Sequence, residues 1–270
     1  MNSGTLDGQV VVVTGGGSGM GASFARRLAS DGARLVINDV NEVAAGEVAS
    51  DVGGEAAIFD VTDSAAFNAA IDRIAEHYGR LDVLINNAGI APSGDAHKRD
   101  INMANQIKRM EGRYDELTPT DSTVDLSDEE WDRMIKIHLY GTFYGTRAAL
   151  RHMTPQRHGS IVNISSIMGL RPSAGIPHYC AAKAAIIAFT KSTAQEVAAF
   201  GVRINAVCPG FVDTPMLDSM DDLALAGIRM QTPIGRLASA EELSQVVRFL
   251  AGPESSYCVG DVFPASGGWV

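Results

Sequence analysis

Residues 10–21 read Val-Val-Val-Val-Thr-Gly-Gly-Gly-Ser-Gly-Met-Gly. Four consecutive valines are typical of a strand that is buried on both faces of a parallel sheet. Apolar residues at helical spacing follow the glycines, so the stretch predicts a strand, a tight turn and a helix in succession. Repetition of this unit along the chain decides the fold.

The glycines between the predicted strand and helix are placed to bind a phosphate group. Gly15, Gly19 and Gly21 would allow a tight turn and a close approach of the backbone to a pyrophosphate, whose charge the first helix amides would meet. An ordinary turn is the alternative, but the strand before and the helix after favour a dinucleotide site. The cofactor contacts predicted in this turn are Gly15, Gly17, Ser18, Gly19 and Met20.

Short apolar segments alternate along the chain with segments that have apolar residues at helical spacing. The predicted strands are residues 10–13, 34–37, 56–59, 83–85, 160–164, 202–207 and 261–263. The predicted helices are residues 21–30, 41–51, 64–78, 127–152, 177–200 and 240–250. This alternation predicts βαβ units and therefore a three-layer α/β/α fold, a doubly wound parallel sheet in one domain of residues 1–270.

One segment, residues 91–125, interrupts the alternation. It separates a predicted strand from the next helix by far more than the usual span of about two to six residues. The segment is highly charged, although Ile101, Ala104, Ile107 and Met110 would form one apolar stripe on a helix. It is either a solvated surface excursion, or a lid or subunit contact near the site, because loops at the carboxyl ends of strands border the ligand crevice.

The composition limits the partners of the protein. Of 270 residues, 46% are hydrophobic, and the net charge of -10 argues against binding to nucleic acid or to an anionic membrane. No apolar run reaches the roughly 18 residues that span a bilayer, and the start of the chain lacks a signal-peptide pattern. The three cysteines form no Cys-x-x-Cys pair, and no metal site is predicted. We therefore expect a soluble cytoplasmic protein.

Asp39 follows the second predicted strand, where dinucleotide sites contact the adenosine ribose. Its carboxylate would accept hydrogen bonds from both ribose hydroxyls and repel a 2′-phosphate, so the sequence favours NAD over NADP. No arginine or lysine lies in residues 16–20 or directly after Asp39. The alternative is that Asp39 only caps the following helix. Residues at the ends of the next two strands would line the adenosine channel: Asp60, Val61, Asn87, Ala88 and Gly89.

Ser166, Tyr179 and Lys183 are residue types suited to proton transfer. Tyr179 and Lys183 lie four positions apart on a predicted helix and share one face, while Ser166 comes from another segment. A tyrosine with an ordinary pKa of about 10 is rarely ionised at neutral pH, so a nearby ammonium group would favour its phenolate form. The alternative is a buried tyrosine, a surface lysine and a strand-end serine with no common role.

Taken together, these residues resemble the short-chain dehydrogenase/reductase family in its single-domain form. The resemblance is carried, in chain order, by residues 14–21, residues 86–89, Ser166, Tyr179, Lys183 and residues 208–214. It implies a Rossmann-type fold and an NAD-dependent enzyme acting on CH–OH groups. In that family, Tyr179 would be the general acid or base, Ser166 would polarise the substrate oxygen, and Lys183 would bind the nicotinamide ribose and lower the pKa of Tyr179.

The same resemblance assigns the segment after the sixth strand to the nicotinamide end of the cofactor. Val212 and Thr214 would hold the nicotinamide carboxamide. The predicted cofactor contacts in this half of the chain are Tyr179, Lys183, Pro209, Gly210, Val212 and Thr214.

The chain departs from the family pattern at His138. The family has an asparagine in the helix before the serine strand, which kinks that helix and holds a water molecule that connects the lysine to bulk solvent. This chain has histidine there, three residues before Gly141. His138 could hold the same water and, with an ordinary pKa of about 6.5, relay protons itself. We count His138 with the catalytic group on this basis; a histidine hydrogen-bonded only for structure is the alternative.

The segment after residue 210 would carry the substrate loop. Its methionines and leucines, between residues 216 and 230, would either close over an apolar substrate or pack a helix. The predicted substrate contacts are Ser166, Met168, Tyr179 and Met216. Because no arginine is placed to bind a small carboxylate, we expect a hydrophobic carbonyl or alcohol substrate. A 3-oxoacyl thioester is expected first, and a hydroxysteroid or another hydrophobic secondary alcohol is the alternative.

Two further expectations concern the assembly and the class of the protein. The resemblance implies a homotetramer with subunit contacts in residues 127–152, 177–200 and 267–270. A protein of another class, an NAD-binding sensor without turnover, is the remaining alternative. The joint presence of Ser166, Tyr179 and Lys183 argues against it.

Overall fold

The computed structural model describes residues 5–92, 95–218, 220 and 222–270. Its strands are β1 (Val10–Thr14), β2 (Arg34–Asp39), β3 (Glu55–Ile58), β4 (Val83–Asn86), β5 (Gly159–Ile164), β6 (Val202–Pro209), β7 (Val212–Asp213), β8 (Ala238–Ser239) and β9 (Val262–Ala265). Seven of them form one parallel sheet in the order β3-β2-β1-β4-β5-β6-β9, and β7 pairs with β8. The predicted doubly wound parallel sheet is confirmed.

Helices cover both faces of this sheet. They are α1 (Gly19–Ser30), α2 (Glu42–Val52), α3 (Ser64–Tyr78), α4 (Ala96–Met110), α5 (Asp128–Ile135), α6 (Gly141–Gln156), α7 (Ile167–Leu170), α8 (Pro177–Val197), α9 (Asp222–Gln231) and α10 (Ala240–Ala251). The valines of β1 account for the layering. Val11 and Val13 join the hydrophobic cluster formed with α1, α2 and α10, whereas Val10 and Val12 join the cluster formed with α3, α6 and α8.

The segment predicted as one helix over residues 127–152 is divided into three parts. α5 ends at Ile135, residues Lys136–Tyr140 form a π-helix, and α6 begins at Gly141. A π-helical turn pairs backbone groups five residues apart instead of four. The Thr142 hydroxyl supports this turn by donating to the carbonyl oxygen of His138 at 2.7 Å. The predicted helical segment is therefore present, but a π-helical turn interrupts its α-helical geometry at His138.

The segment of residues 91–125 contains a helix of its own, α4, followed by a short 3-10 turn, Tyr114–Glu116; residues 93 and 94 lie outside the described chain. The buried Asn105 holds the segment together, because its side chain donates to the Thr118 carbonyl at 2.7 Å and accepts from the Thr118 amide at 2.9 Å. The predicted stripe is largely exposed, since Ile107 is 47% and Met110 80% accessible. α4 is therefore held to the rest of this segment by the side-chain amide of Asn105 and not by its apolar stripe.

Among the described residues, no helix combines the length and the hydropathy that a bilayer crossing requires.

Candidate active site

The carboxyl ends of the central strands bring the predicted site residues to one edge of the sheet. The strand order reverses between β1 and β4, which creates the crevice where ligands bind in open α/β sheets. The residues that follow successive strands at this edge are the glycine turn after β1, Asp39, Asp60, residues 87–89, Ser166 and residues 210–214.

The glycine turn has a backbone that only glycine adopts readily. Gly15 and Gly19 have φ angles of 60° and 50°, in the left-handed region. A Cβ atom at Gly21 would overlap the carbonyl oxygen of Gly15, so this third glycine lets α1 begin directly beneath the turn. Ser18 precedes α1 and has no capping hydrogen bond from its side chain. These features fit a pyrophosphate at the start of a twelve-residue helix.

The turn is tied to the end of β4 by two side chains. The Asn87 side-chain nitrogen donates to the carbonyl oxygens of Thr14 at 3.0 Å and Gly15 at 3.1 Å. The Thr14 hydroxyl accepts from the backbone amides of Asn87 and Ala88 at 3.0 and 3.1 Å. Sequence reasoning did not assign this role to Thr14, although a hydroxyl at the strand end next to a glycine turn is a usable signal. The two strand ends that border the crevice are thereby held together.

Asp39 contacts the glycine turn directly. Its Oδ2 atom accepts from the Gly17 amide at 3.0 Å, and its Oδ1 atom accepts from the Asn41 amide at 3.0 Å. Asn41, and not Asp39, caps α2, because the Asn41 side chain accepts from the Ala44 amide. The alternative of a capping role alone for Asp39 therefore does not hold. A carboxylate that lies beside the phosphate-binding turn fits a ribose and would repel a 2′-phosphate.

The side chains of the buried Ser166 and the partly buried Tyr179 form a hydrogen bond with each other. Ser166 begins α7, and its hydroxyl accepts from the Met168 amide at 3.1 Å. Burial raises the pKa of Tyr179 above its ordinary value, and a hydrogen bond with Ser166 acts in the opposite direction. The pKa of Tyr179 is raised overall, whereas Lys183 was expected to lower it. The loss of hydration of the phenolate outweighs its stabilisation by nearby hydrogen-bond donors. The partly buried Tyr179 is therefore held as a neutral phenol.

Lys183 is itself strongly affected by burial. Only 4% of its surface is accessible, and burial lowers its pKa from 10.5 to about 7. Its Nζ atom donates to the Ile164 carbonyl oxygen at 2.9 Å and lies 5.7 Å from the centre of the Tyr179 ring. An amine with a pKa of about 7 gains and loses protons readily near neutral pH. Lys183 can therefore accept a proton as well as supply positive charge.

His138 lies in the π-helix and packs edge-on against the Tyr179 ring, with 5.5 Å between the ring centres. Its Nε2 atom lies within hydrogen-bonding distance of the backbone of Ile90. Its Nδ1 atom is buried and has no partner among the described residues. Burial, followed by the charge of Lys183, lowers the pKa of His138 well below 6.5, so the imidazole is neutral near neutral pH. The structure thus brings His138 to the predicted catalytic group.

The segment after β6 closes the crevice from the other side. Gly210 donates its amide to the Ala265 carbonyl oxygen at 2.9 Å, and Val212 is buried. A Cβ atom at Gly19 would lie 3.6 Å from Cβ of Thr214, so the glycine turn predicted to hold the pyrophosphate lies next to a residue predicted to hold the nicotinamide carboxamide. Pro209 ends β6 at the same place.

Asp60 and Val61, at the predicted adenosine channel, make local contacts just after β3. The Asp60 carboxylate accepts from the Thr62 amide at 2.8 Å. Val61 is buried, and a Cβ atom at Gly141 would lie 3.0 Å from its side chain. At the end of the next strand, a Cβ atom at Gly89 would lie 2.5 Å from Cε1 of His138, which places Gly89 directly against the catalytic group.

An apolar wall stands next to Tyr179. Met168 belongs to it, together with Ile176, Phe211 and Trp269. Trp269 lies 5.5 Å from Phe211 between ring centres, and its indole nitrogen donates to the Thr232 hydroxyl at 2.9 Å. Sequence reasoning placed Trp269 at a subunit contact and did not identify Phe211 as part of the site. Met216, the other predicted substrate contact, is 42% exposed on the turn after Thr214.

The methionine- and leucine-rich segment after Met216 leaves much of its apolar surface accessible. Leu223 is 63% and Met230 88% exposed on α9, whereas Ile228 is buried; residues 219 and 221 of this segment lie outside the described residues. Packing of α9 against the rest of the protein therefore explains the apolar residues on one side of this helix only.

Comparison with known proteins agrees with this arrangement. Residues 9–111 match the family profile described as short chain dehydrogenase, and residues 116–270 match the profile described as Enoyl-(Acyl carrier protein) reductase. The 3-oxoacyl-[acyl-carrier-protein] reductase FabG of Thermotoga maritima is 33% identical over 98% of this chain and 99% of its own. The FabG protein of Escherichia coli is 35% identical, covering 97% of this chain and 98% of its own.

A third relative carries a different name. The cis-4-hydroxycyclohexanecarboxylate dehydrogenase of Sinomonas cyclohexanicum is 39% identical over 97% of this chain and 96% of its own. Reductases and dehydrogenases are thus similar to the chain over nearly its full length. The chain belongs to the short-chain dehydrogenase/reductase family and is an oxidoreductase that acts on CH–OH groups with a nicotinamide dinucleotide.

Proposed function

We propose that the protein interconverts a ketone and a secondary alcohol with NAD(H). One observation carries this proposal: Tyr179 is hydrogen-bonded to Ser166 and lies 5.7 Å from Nζ of Lys183, at the sheet edge that also holds the glycine turn. A hydroxyl donor, a phenol and an amine with a pKa of about 7 form a complete set for moving one proton to or from a substrate oxygen.

The same residues would act in both directions. In reduction, Ser166 would donate a hydrogen bond to the carbonyl oxygen while Tyr179 transfers its phenolic proton to that oxygen. The raised pKa of Tyr179 suits this acid role. In oxidation, the phenol must first lose its proton, and Lys183 is the adjacent base. The bound dinucleotide supplies or accepts the hydride.

NAD is proposed as the cofactor because of Asp39. The glycine turn would hold the pyrophosphate, the Asp39 carboxylate would accept from the adenosine ribose hydroxyls, and Val212 and Thr214 would hold the nicotinamide carboxamide. Asp39 is already anchored by Gly17 and Asn41 on the protein side, so it is fixed in place for a ribose. The residue that follows it, Val40, is apolar and 68% exposed and offers no charge to a 2′-phosphate.

A 3-oxoacyl thioester is proposed as the first substrate class. The FabG relatives support it, and the apolar wall of Met168, Phe211 and Trp269 suits an acyl chain. A cyclic or other hydrophobic secondary alcohol is the second candidate. The 39% identity to a cis-4-hydroxycyclohexanecarboxylate dehydrogenase favours it, and so does Asp39, because oxidation of alcohols is usually linked to NAD.

A homotetramer in the cytoplasm is proposed as the form of the enzyme. An exposed aromatic patch supports subunit contacts through α6 and α8: Tyr140 is 43% and Phe143 37% accessible, and Phe143 packs edge-on against Phe189. Arg147 lies over the Phe143 ring at 4.7 Å. All three cysteines are free thiols, which agrees with a reducing compartment.

A panel assay tests the proposal. Purified protein would be mixed with NAD(H) or NADP(H) and with 3-oxoacyl thioesters, 3-hydroxyacyl thioesters, cyclohexanols and steroid alcohols, and NADH absorbance would be followed. We expect turnover with NAD(H) on one class. The Tyr179→Phe variant is the control, since it should bind NADH normally and lose about a thousandfold or more in turnover. No turnover on any class by protein that binds NADH would overturn the proposal.

A further inference from the structure

Three separate segments of the chain hold Trp269 in place. Its indole nitrogen donates to the Thr232 hydroxyl at 2.9 Å, directly after α9, and its ring centre lies 5.5 Å from that of Phe211, between β6 and β7. Arg171, directly after α7, provides the third contact, because its guanidinium carbon lies 5.7 Å from the centre of the Trp269 ring. A rotation of the indole ring would therefore disturb contacts with all three segments.

The partners of Trp269 after α9 are themselves fixed. The buried Thr232 hydroxyl donates to the Ile228 carbonyl oxygen at 2.7 Å while it accepts from the indole nitrogen. The Ile234 amide donates to the Gly267 carbonyl oxygen at 3.1 Å, and a Cβ atom at Gly267 would lie 2.7 Å from Cγ2 of Ile234. The backbone just before Trp269 is thus packed closely on the segment after α9. We expect the indole ring to keep one orientation.

Trp269 lies beside the residues that would hold the substrate. Trp269 and Tyr179 pack against one buried apolar cluster. This cluster consists of Ile167, Met168 and Cys180. Ser166, whose hydroxyl would hold the substrate oxygen, directly precedes the cluster in the chain. The apolar part of a substrate held by Ser166 and Tyr179 would therefore contact the same cluster on which the indole ring packs.

A cation marks the place where the apolar wall ends. Arg171 is exposed, and its Nη1 atom donates to the Trp269 carbonyl oxygen at 3.3 Å. No carboxylate of the described residues pairs with this charge; the guanidinium contacts the carbonyl oxygen and the ring of Trp269. An alkyl chain that passed the indole ring would remove water from the charge and offer no hydrogen bond in return, which is unfavourable. The apolar surface open to a substrate is therefore short.

We propose that Trp269 is a specificity-determining residue that limits the substrate to a compact carbon skeleton, and that Arg171 is the positioning residue that holds its ring. This inference rests on the proposed function and narrows its substrate class. A ring the size of cyclohexanol or a short 3-oxoacyl group would fit the wall. A long acyl chain would meet the fixed indole ring and then the guanidinium.

The dependence of turnover on alkyl length tests this limit. We define the length ratio as kcat/KM for an octyl substrate divided by kcat/KM for the butyl substrate of the same class, either 3-oxoacyl thioesters or straight-chain secondary alcohols. A methylene group that finds apolar surface improves binding by about fourfold, so an open wall would give a high ratio. We expect a low ratio in the wild type and a rise of about tenfold or more in Trp269→Ala, mainly through KM.

Substitutions of Arg171 separate its charge from its packing. Arg171→Met extends the apolar surface past the indole ring, so the length ratio should rise by about threefold or more, whereas a merely structural role would lower kcat/KM equally at all lengths. Arg171→Lys keeps a cation there and should retain most of the wild-type ratio. The matched control is Trp131→Ala, an exposed tryptophan on α5, which should leave the ratio unchanged.

A binding measurement without turnover gives a second readout. Trp131 and Trp269 are the two tryptophans of the chain, so Trp131→Phe leaves Trp269 as the only one. Cyclohexanol and straight-chain secondary octanol would be titrated into this variant with NADH bound, a complex in which the alcohol cannot be oxidised. We expect cyclohexanol to change the fluorescence emission of Trp269. Octanol should do so at about tenfold lower concentration once Arg171→Met is added.

Two results would overturn the inference. One is a length ratio that stays within about twofold of the wild type in both Trp269→Ala and Arg171→Met; the second variant changes an exposed side chain and guards against a folding defect in the first. The other is a Trp269 emission that neither alcohol changes. If no substrate is turned over, emission changes in the expected order would support the inference while the proposed function fails.

Discussion

The Nε2 atom of His138 lies 3.1 Å from the amide nitrogen of Ile90 and 3.0 Å from its carbonyl oxygen. One residue of the main chain therefore satisfies this nitrogen whether it carries a proton or not. The contact links the loop after β4 to the π-helix. The Nδ1 atom of the same ring is buried and has no hydrogen-bonding partner among the described residues, and the ring packs edge-on against Tyr179. A histidine replaces the asparagine of the family pattern at this point without a loss of hydrogen-bonding capacity on the Ile90 side.

Replacement of His138 by asparagine should preserve most activity and change its pH dependence. An amide can hold a water molecule but cannot be protonated in the working range. Burial and Lys183 lower the pKa of His138 well below 6.5, so wild-type activity should fall only at pH values well below 6.5, where the ring becomes charged. That acid limb should move in His138→Asn when kcat is measured against pH. If kcat depends on pH in the same way in both proteins, His138 has no role in proton transfer.

Addition of a methyl group at Gly89 should disturb His138 without a change to the histidine itself. A Cβ atom there would lie 2.5 Å from Cε1 of His138, so the ring must move away from Ile90. We expect Gly89→Ala to reduce kcat about tenfold and the free energy of unfolding by about 1–3 kcal/mol. The control is Gly46→Ala in α2, where no atom lies within 4 Å; it should stabilise the protein by about 0.5–1 kcal/mol. If Gly89→Ala and Gly46→Ala had similar effects on kcat and on the free energy of unfolding, the contact between Gly89 and His138 would not matter for activity.

Lys183→Met should abolish turnover and stabilise the folded protein near neutral pH. Because burial lowers the pKa of Lys183 from 10.5 to about 7, the cost of charging it is fully present below pH 7 and disappears as the pH rises toward 10.5. Wild-type stability should therefore gain up to about 1.4 kcal/mol per pH unit from this group across that window. Urea unfolding at several pH values measures the slope, which should flatten in the variant. An equal slope in both proteins would show that Lys183 is not desolvated.

Asp39→Ser combined with Val40→Arg should move the cofactor preference from NAD toward NADP. The first change removes the carboxylate that repels a 2′-phosphate, and the second puts a cation on an exposed position beside it. We expect the ratio of kcat/KM for the two cofactors to change by about a hundredfold or more, with about half of the free-energy change from each substitution. Val40→Ser is the control and should leave the preference unchanged. A wild-type preference for NADP(H) would already contradict the role of Asp39.

Asn105→Ala should open the segment of residues 91–125 while the rest of the molecule stays folded. The substitution removes both hydrogen bonds to Thr118 from a buried position and should cost about 1–3 kcal/mol locally. Limited proteolysis should then cut this segment faster, with little change in the thermal midpoint of the sheet. Gln106→Ala, at the exposed neighbouring position, is the control. If the segment is a lid, KM for the larger substrates should rise in Asn105→Ala alone; an unchanged KM would favour a surface role.

Much of the fold and part of the site could be predicted from local patterns. The strand, turn and helix of residues 10–21 are present as predicted, and so are the remaining six strands and the helix of residues 64–78. These patterns can be recognised in the sequence because a strand that is buried on both faces needs continuous apolar residues, and a positive φ angle favours glycine. The resemblance implied a kink near His138, but the form of that irregularity, a π-helix, was not predicted, because π-helical pairing depends on the backbone hydrogen bonds of the folded chain. Neither was the packing of α4 through Asn105, because a single buried amide leaves no periodic signal.

By itself, the sequence determined the doubly wound sheet, the edge at which the site lies, and the residues that could carry proton transfer. These properties follow from short-range rules of periodicity, glycine backbone freedom and residue spacing. Only the tertiary structure decided the chemical state of those residues. Burial raises the pKa of Tyr179 and lowers those of Lys183 and His138, because desolvation depends on every element packed around a group and not on its neighbours in the chain. The same packing buried His178 in the first turn of α8 and placed Phe211, which was not among the predicted site residues, in the apolar cluster beside Tyr179.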